Sequence, residues 1–222
     1  MSLNKSIKLF SVLFISLLLI AGCKRHKSVQ IVVCFGDSLT AYGPQGSKYP
    51  DWLSLLLPDC FIINKGINGD TLIGGRARFE QDVLKERPDV VIIALGANDF
   101  WLQKRDISEL KADLEDMVRR AKDAGIEVVI ASCFGGRDFW LEENVEFGPE
   151  RFGFAISVAK MEQEVCAKYS CFYVPNMQID IKPNGKEPYW ADKWHPNKEG
   201  NKFVAKRIFP SLKKALKAAR RK

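Results

Sequence analysis

The feature that most constrains this chain is an alternation of five short, nearly uninterrupted apolar runs with helical patterns. The runs are Gln30 to Phe35, Cys60 to Asn64, Asp89 to Leu95, Glu127 to Ala131 and Cys171 to Val174. A strand with one wet face alternates apolar and polar residues, whereas continuous apolar runs belong to strands covered on both faces. Between the third and fourth runs, Asp106 to Ala124 sets Ile107, Leu110, Leu114, Met117 and Ala121 along one helical stripe, and Gly125 is placed to end it. A last helix is predicted over Lys198 to Leu216. Such β-α alternation requires right-handed crossovers and a parallel sheet with helices on both sides. The expectation is one three-layer α/β/α domain.

In an open α/β sheet, ligands collect at the carboxyl ends of the strands, and polar motifs fall at those ends. Phe35-Gly36-Asp37-Ser38-Leu39-Thr40 closes the first run, Gly66-Ile67-Asn68-Gly69-Asp70-Thr71 follows the second, and Gly96-Ala97-Asn98-Asp99 follows the third. Asp192-Lys193-Trp194-His195-Pro196-Asn197 precedes the last helix. Together they supply a serine, a glycine amide, an asparagine amide and an Asp/His pair, the parts needed to attack a carbonyl and hold the resulting oxyanion. A serine needs a base to act as a nucleophile at neutral pH. The chain has two histidines, and His26 lies in a predicted tether, which leaves His195 as base and Asp192 to orient its ring. Each motif also has an ordinary reading. Asp-Ser after a strand is a common turn or helix cap, Asn98 can close a turn, Gly69 can supply a positive φ, and Asp192 and His195 can be surface residues before a helix. Their convergence on one edge argues for chemistry more strongly than any motif alone. Asp37, Asp70 and Asp99 read as braces for these loops.

With these motifs in this order, the chain from Val29 to Leu212 resembles the SGNH hydrolases, also called the GDSL family. It is most similar to the bacterial acyl-thioesterase, lysophospholipase and arylesterase branch, through Asn68-Gly69-Asp70-Thr71 with Arg78, Leu95-Gly96-Ala97-Asn98-Asp99, and Asp192-x-x-His195-Pro196-Asn197. It departs in Gly96-Ala97-Asn98, where many relatives have Gly-Gly-Asn, and in a longer aromatic segment from Phe134 to Phe154, which either borders the acyl site or packs as a surface excursion. The resemblance implies a flavodoxin-like order of five parallel strands and a monomeric serine esterase needing neither metal nor cofactor. It implies an acyl intermediate on Ser38, His195 as base, Asp192 as its orienting acid, and an oxyanion hole from the Ser38 and Gly69 backbone amides and the Asn98 side chain. The substrates it implies are acyl esters, thioesters or lysophospholipids. A carbohydrate O-acetyl esterase remains an alternative, and an inactive surface binding protein a further one.

The first residues read as an export signal, with basic Lys5 and Lys8, apolar Leu9 to Ile20, and the small-residue site Ile20-Ala21-Gly22-Cys23. The apolar stretch is short for a membrane span. Its end resembles the lipobox of bacterial lipoproteins, which makes Cys23 the expected lipid anchor on the extracytoplasmic side of the cell envelope. The expected organisation is therefore a signal over 1–22, a tether over 23–28 and the hydrolase domain over 29–222. The formal charge of +7 does not describe that domain. Without the basic residues of the N-terminal stretch and of the tail from Lys213 onward, 23 basic residues face 27 acidic ones, so no nucleic-acid-binding face is expected. Cys34, Cys60 and Cys133 read as buried thiols, and Cys166 and Cys171 as a pair that an oxidising compartment could join.

Overall fold

The computed structural model describes residues 29–102, 104–134, 148–178, 181, 189–192 and 194–221. The predicted signal and tether, and most of the aromatic segment after Phe134, lie outside the described residues. The alternation folds as expected. Strands β1 (Gln30–Gly36), β2 (Cys60–Gly66), β3 (Val90–Ala94), β4 (Glu127–Ala131) and β5 (Phe172–Val174) form one parallel sheet in the order β2-β1-β3-β4-β5. This is the flavodoxin-like order.

The uninterrupted hydrophobicity of the strands follows from having a core on each face. Val33, Phe35, Val91, Ile93, Val128 and Ile130 point to one side, packing with residues of α3 (Leu72–Asp82), α5 (Ile107–Asp123) and α6 (Gly148–Lys168). Their neighbours Val32, Cys34, Val90, Ile92, Val129 and Ala131 point to the other, against α2 (Tyr49–Leu56) and α7 (Lys198–Ala219). The period of two along each strand thus serves two apolar layers. In α5, Leu110, Leu114, Met117 and Ala121 are buried as the stripe predicts. Asp106 caps its start and Gly125, at φ +79°, follows its end. The last helix runs three residues past its predicted end.

The carboxyl edge is built from very short connections. Ser38–Ala41 is a single helical turn, α1, and Ala97–Leu102 a six-residue helix, α4. Close packing explains Gly36, because a Cβ there would lie 2.6 Å from the Ala94 carbonyl oxygen. Among the described residues, no helix is long and apolar enough to cross a membrane. Cys34 and Cys133 are buried as predicted, while Cys60 is only half-buried. Cys166 and Cys171 are neighbours but stand as free thiols.

Candidate functional site

Ser38 is the first residue of α1, and Asp37 caps that turn by accepting the Leu39 N–H at 2.9 Å. The turn lifts the Ser38 side chain off the end of β1, where it meets His195 from the loop before α7. Ser38 Oγ lies 3.0 Å from His195 Nε2, and His195 Nδ1 lies 2.9 and 2.8 Å from the two Asp192 oxygens. With the imidazole proton on Nδ1, the Nε2 lone pair faces the serine hydroxyl. Asp192 Oδ1 also accepts the backbone N–H groups of Trp194 and His195, each at 2.8 Å. Partial burial works to raise the Asp192 pKa, but these backbone bonds and the His195 ring outweigh it and hold the carboxyl below its ordinary value. A charged acid therefore stands behind the histidine. Such a chain can move a proton from a serine hydroxyl to an imidazole.

The residues expected around an oxyanion converge on the same spot. Gly69 sits at φ +76°, in a loop that only a glycine enters without strain. Among the described residues, no acceptor takes the backbone N–H of Ser38 or of Gly69. Asn98 Nδ2 donates to the Asp70 carbonyl at 2.8 Å and lies 3.5 Å from Asp37 Oδ2. Ser38, Gly69 and Asn98 line one cavity of about 480 Å³ together with His195.

The three other aspartates brace these loops. Asp99 accepts the Leu72 N–H at 2.9 Å, and Asp70 accepts the Thr71 N–H and the Arg78 guanidinium. Asp37 is buried, and burial, assisted by the charges of Asp70 and Asp99, pushes it up to about 7. Arg78 ties the edge together. It donates to Asp70 (2.7 Å), Asp82 (2.9 Å) and the strand-end carbonyls of Lys65 (2.8 Å) and Gly36 (3.0 Å), with its guanidinium 3.9 Å from the Phe35 ring centre.

Behind the site, Glu162 of α6 is buried and receives the Tyr173 hydroxyl at 3.4 Å. Burial pushes it up to about 8, although the Ser132 and Tyr173 hydroxyls act to lower it. The native chain thus holds a proton that the unfolded chain, with its ordinary carboxyl, gives up at lower pH. Stability is expected to fall as pH rises from about 4.5 to about 8, and to level off above. Glu162→Gln should remove Glu162's share of that slope, stabilising the protein at pH 8 relative to pH 5 by up to several kcal/mol. Urea unfolding at both values checks this, and an unchanged slope contradicts it.

Sequence reasoning missed several residues of the site. Tyr42 stacks on the His195 ring, with centroids 4.2 Å apart and planes at 20°. Its position four residues after Ser38, one helical turn on, was a usable signal. Trp101 and Trp194 form an edge-on pair at 4.5 Å, and Phe100 packs at 5.4 Å from Phe134, the one residue of these four that the sequence had placed at the acyl site; all four line the cavity. Of the aromatic segment, Phe134 is buried in the cavity wall and Phe154 packs against the core near Phe100.

Known proteins share this arrangement of sequence and fold. The model of the GDSL-like lipase/acylhydrolase family matches residues 34–203. The chain is 31% identical over 127 residues to esterase TesA of Pseudomonas aeruginosa, covering 51% of this chain and 62% of that protein. It is 37% identical over 107 residues to an arylesterase of Vibrio mimicus, covering 45% and 52%. An uncharacterized lipoprotein of Bacillus subtilis, YqeF, is 31% identical over 143 residues, covering 57% of each. The chain thus spans about half to three fifths of the length of these curated relatives. Among solved structures, a crystal structure of TesA superposes with a TM-score of 0.68 at 26% identity, over 84% of this chain and 99% of that one. The fold also matches that of the psychrotrophic esterase EstA from Pseudoalteromonas sp., with a TM-score of 0.69 at 21% identity, over 85% and 99%.

Proposed function

Because the chain belongs to the GDSL-like lipase/acylhydrolase family, whose relatives here include esterases, we propose that it is a serine carboxylic-ester hydrolase working through an acyl-Ser38 intermediate. The single observation that carries this reading is the 3.0 Å contact between Ser38 Oγ and His195 Nε2, backed by Asp192 on the far side of the ring. Ser38 attacks the ester carbonyl carbon while His195 takes its proton. The Ser38 and Gly69 N–H groups and the Asn98 amide receive the oxyanion. His195 then protonates the leaving alkoxide, and the carbonyl re-forms as the C–O bond breaks. Water, deprotonated by His195, attacks the acyl-serine, and a second collapse releases the acid and restores Ser38.

The substrate reading is an acyl ester, thioester or lysophospholipid rather than an acetylated sugar. It is supported by the apolar lining of the cavity, with Leu39, Phe100, Trp101, Phe134 and Trp194 in its walls. Each buried methylene adds about 0.8 kcal/mol, or roughly fourfold in binding. Over p-nitrophenyl esters, kcat/KM is therefore expected to rise from acetate to butyrate or longer. A strict acetate preference joined with turnover of acetylated sugars would overturn the lipid reading and favour the deacetylase.

The place of action follows from Cys23. Lipidation there would hold the domain at the envelope membrane, a reading in keeping with the similarity to a protein named as a lipoprotein. Cys23→Ser is expected to abolish labelling by an acyl-chain probe and to release the protein from the membrane fraction. Labelling that survives the substitution would rule the anchor out.

A further inference from the structure

One tyrosine joins the nucleophile to its base. Tyr42 is the residue that ends α1, and its N–H donates to the Ser38 carbonyl at 2.7 Å. The turn that follows is tied as well, with the Ser47 N–H (3.2 Å) and hydroxyl (2.6 Å) both donating to the Pro44 carbonyl. From this fixed seat the Tyr42 ring lies on the His195 ring, with centroids 4.2 Å apart and planes at 20°. Among the described residues, the Tyr42 hydroxyl has no hydrogen-bond partner. What the position uses is therefore the face of the ring.

The edges of the imidazole are taken by Ser38 at Nε2 and Asp192 at Nδ1, and the His195 backbone is held by the Ala191 N–H, which donates to its carbonyl at 2.8 Å. What changes during the reaction is the charge of the ring. When Nε2 takes the serine proton while Nδ1 keeps its own, a positive charge spreads over the imidazolium. An aromatic face is electrostatically negative and attracts a cation within about 6 Å of its centroid. The neutral imidazole of the resting site gains far less from that face, so the contact strengthens as the transition state forms. That is the condition for it to raise the rate. Water at the contact would weaken it. Tyr42 lines both the catalytic cavity and a second one of about 680 Å³, bordered by Pro44, Gln45, Pro196 and Lys198, whereas His195 lines only the first of these two. The tyrosine thus screens the imidazole from the second space.

We propose that Tyr42 is a positioning residue acting through His195: its ring holds the imidazole in line with Ser38, and its face stabilises the imidazolium formed when the serine proton is taken. This deepens the serine-esterase reading above and rests on it. The balance of the step is unchanged. The Ser38 proton passes to Nε2, the Oγ lone pair forms the bond to the carbonyl carbon, and the leaving alkoxide takes the proton back from Nε2 as its C–O bond breaks. Tyr42 neither gains nor loses an atom. A leucine would fill the same place and limit the tilt of the imidazole by shape, but it offers a cation no negative face.

The test separates shape from charge. Tyr42→Leu is expected to lower kcat/KM about five- to tenfold, and Tyr42→Phe, which keeps the ring, to restore most of that loss. Replacing Tyr42 in turn by mono-, di- and trifluorinated phenylalanine keeps the shape of phenylalanine while withdrawing negative charge from its face. Along that series kcat/KM is expected to fall step by step. Each protein is assayed on p-nitrophenyl acetate, p-nitrophenyl butyrate and ethyl butyrate, which differ in both the acyl and the leaving group. The same order of decline on all three places the effect on His195, which serves them all. A decline confined to one ester places it on a substrate contact and overturns the proposal. So does a fluorinated series level with Tyr42→Phe, which would leave the ring a role of shape alone, or a phenylalanine variant as poor as the leucine one. If Tyr42→Leu does not fold, the fluorinated series decides by itself, because it compares rings of one shape. Wild-type protein that hydrolyses none of the three esters defeats the esterase reading itself, whatever stands at position 42.

Discussion

Alanine at position 38 is expected to lower kcat/KM for ester hydrolysis by at least about 10³-fold, the scale of loss when a catalytic unit loses its nucleophile. The fold should be unaffected. Ser38 opens a single helical turn that Asp37, not Ser38, caps, and its hydroxyl meets the His195 ring. Surface substitutions of that kind shift stability by within about 0.5 kcal/mol. Circular dichroism melts alongside ester kinetics separate the two effects. A folded Ser38→Ala enzyme with near-wild-type turnover would show that another group attacks the carbonyl. His195→Ala should fall by a comparable amount rather than adding to it, since the two residues act as one unit.

The largest structural effect is expected at Arg78. Its side chain is 15% exposed, and it satisfies the nearly buried Asp70, a second acid and the carbonyls that end β1 and β2. Arg78→Met keeps much of the packing on Phe35 but takes the cation from Asp70 and Asp82 and a donor from the carbonyls of Lys65 and Gly36, the latter keeping the Ile67 N–H. Removing one partner of a buried ion pair costs about 3–5 kcal/mol. Arg78→Lys should recover little of this, because an ammonium cannot span the diverging acceptors of a planar guanidinium. Activity should fall with stability. Asp70, which Arg78 holds, gives its carbonyl to the Asn98 amide and follows Gly69 directly, so loosening it misaligns the expected oxyanion donors. Denaturant unfolding that places Arg78→Met within 1 kcal/mol of wild type would show that the network is not what fixes this edge.

How much of this was legible in the sequence depends on how local the signal is. The strands were readable because each is buried on both faces and therefore apolar without a break, as in Val90–Ala94. The α5 helix was readable because its stripe, its Asp106 cap and its Gly125 stop agree. Ser38, Gly69, Asn98, Asp192 and His195 could be nominated because each ends a strand or precedes a helix, and the fold brings all but Asp192 to the wall of one cavity, with Asp192 on the far side of His195. What stayed hidden is what only tertiary packing creates. Arg78 was singled out in sequence only as part of the family resemblance, and its role as a tie arises from strand ends more than ten residues away. Trp101 and Trp194 pair across 93 positions. Cys60 was expected to be buried with its strand, but β2 is an edge strand, and its residues are half-buried or exposed.

The central claim is that an acyl group passes through Ser38. Its most direct measurement is mass spectrometry of the protein after reaction with a fluorophosphonate, which traps an activated serine as a stable phosphonyl ester. The account predicts one adduct per chain on the peptide containing Ser38, loss of ester hydrolysis in step with its formation, and no adduct in Ser38→Ala or His195→Ala. An adduct on a different residue, or full inactivation with Ser38 unmodified, would contradict it.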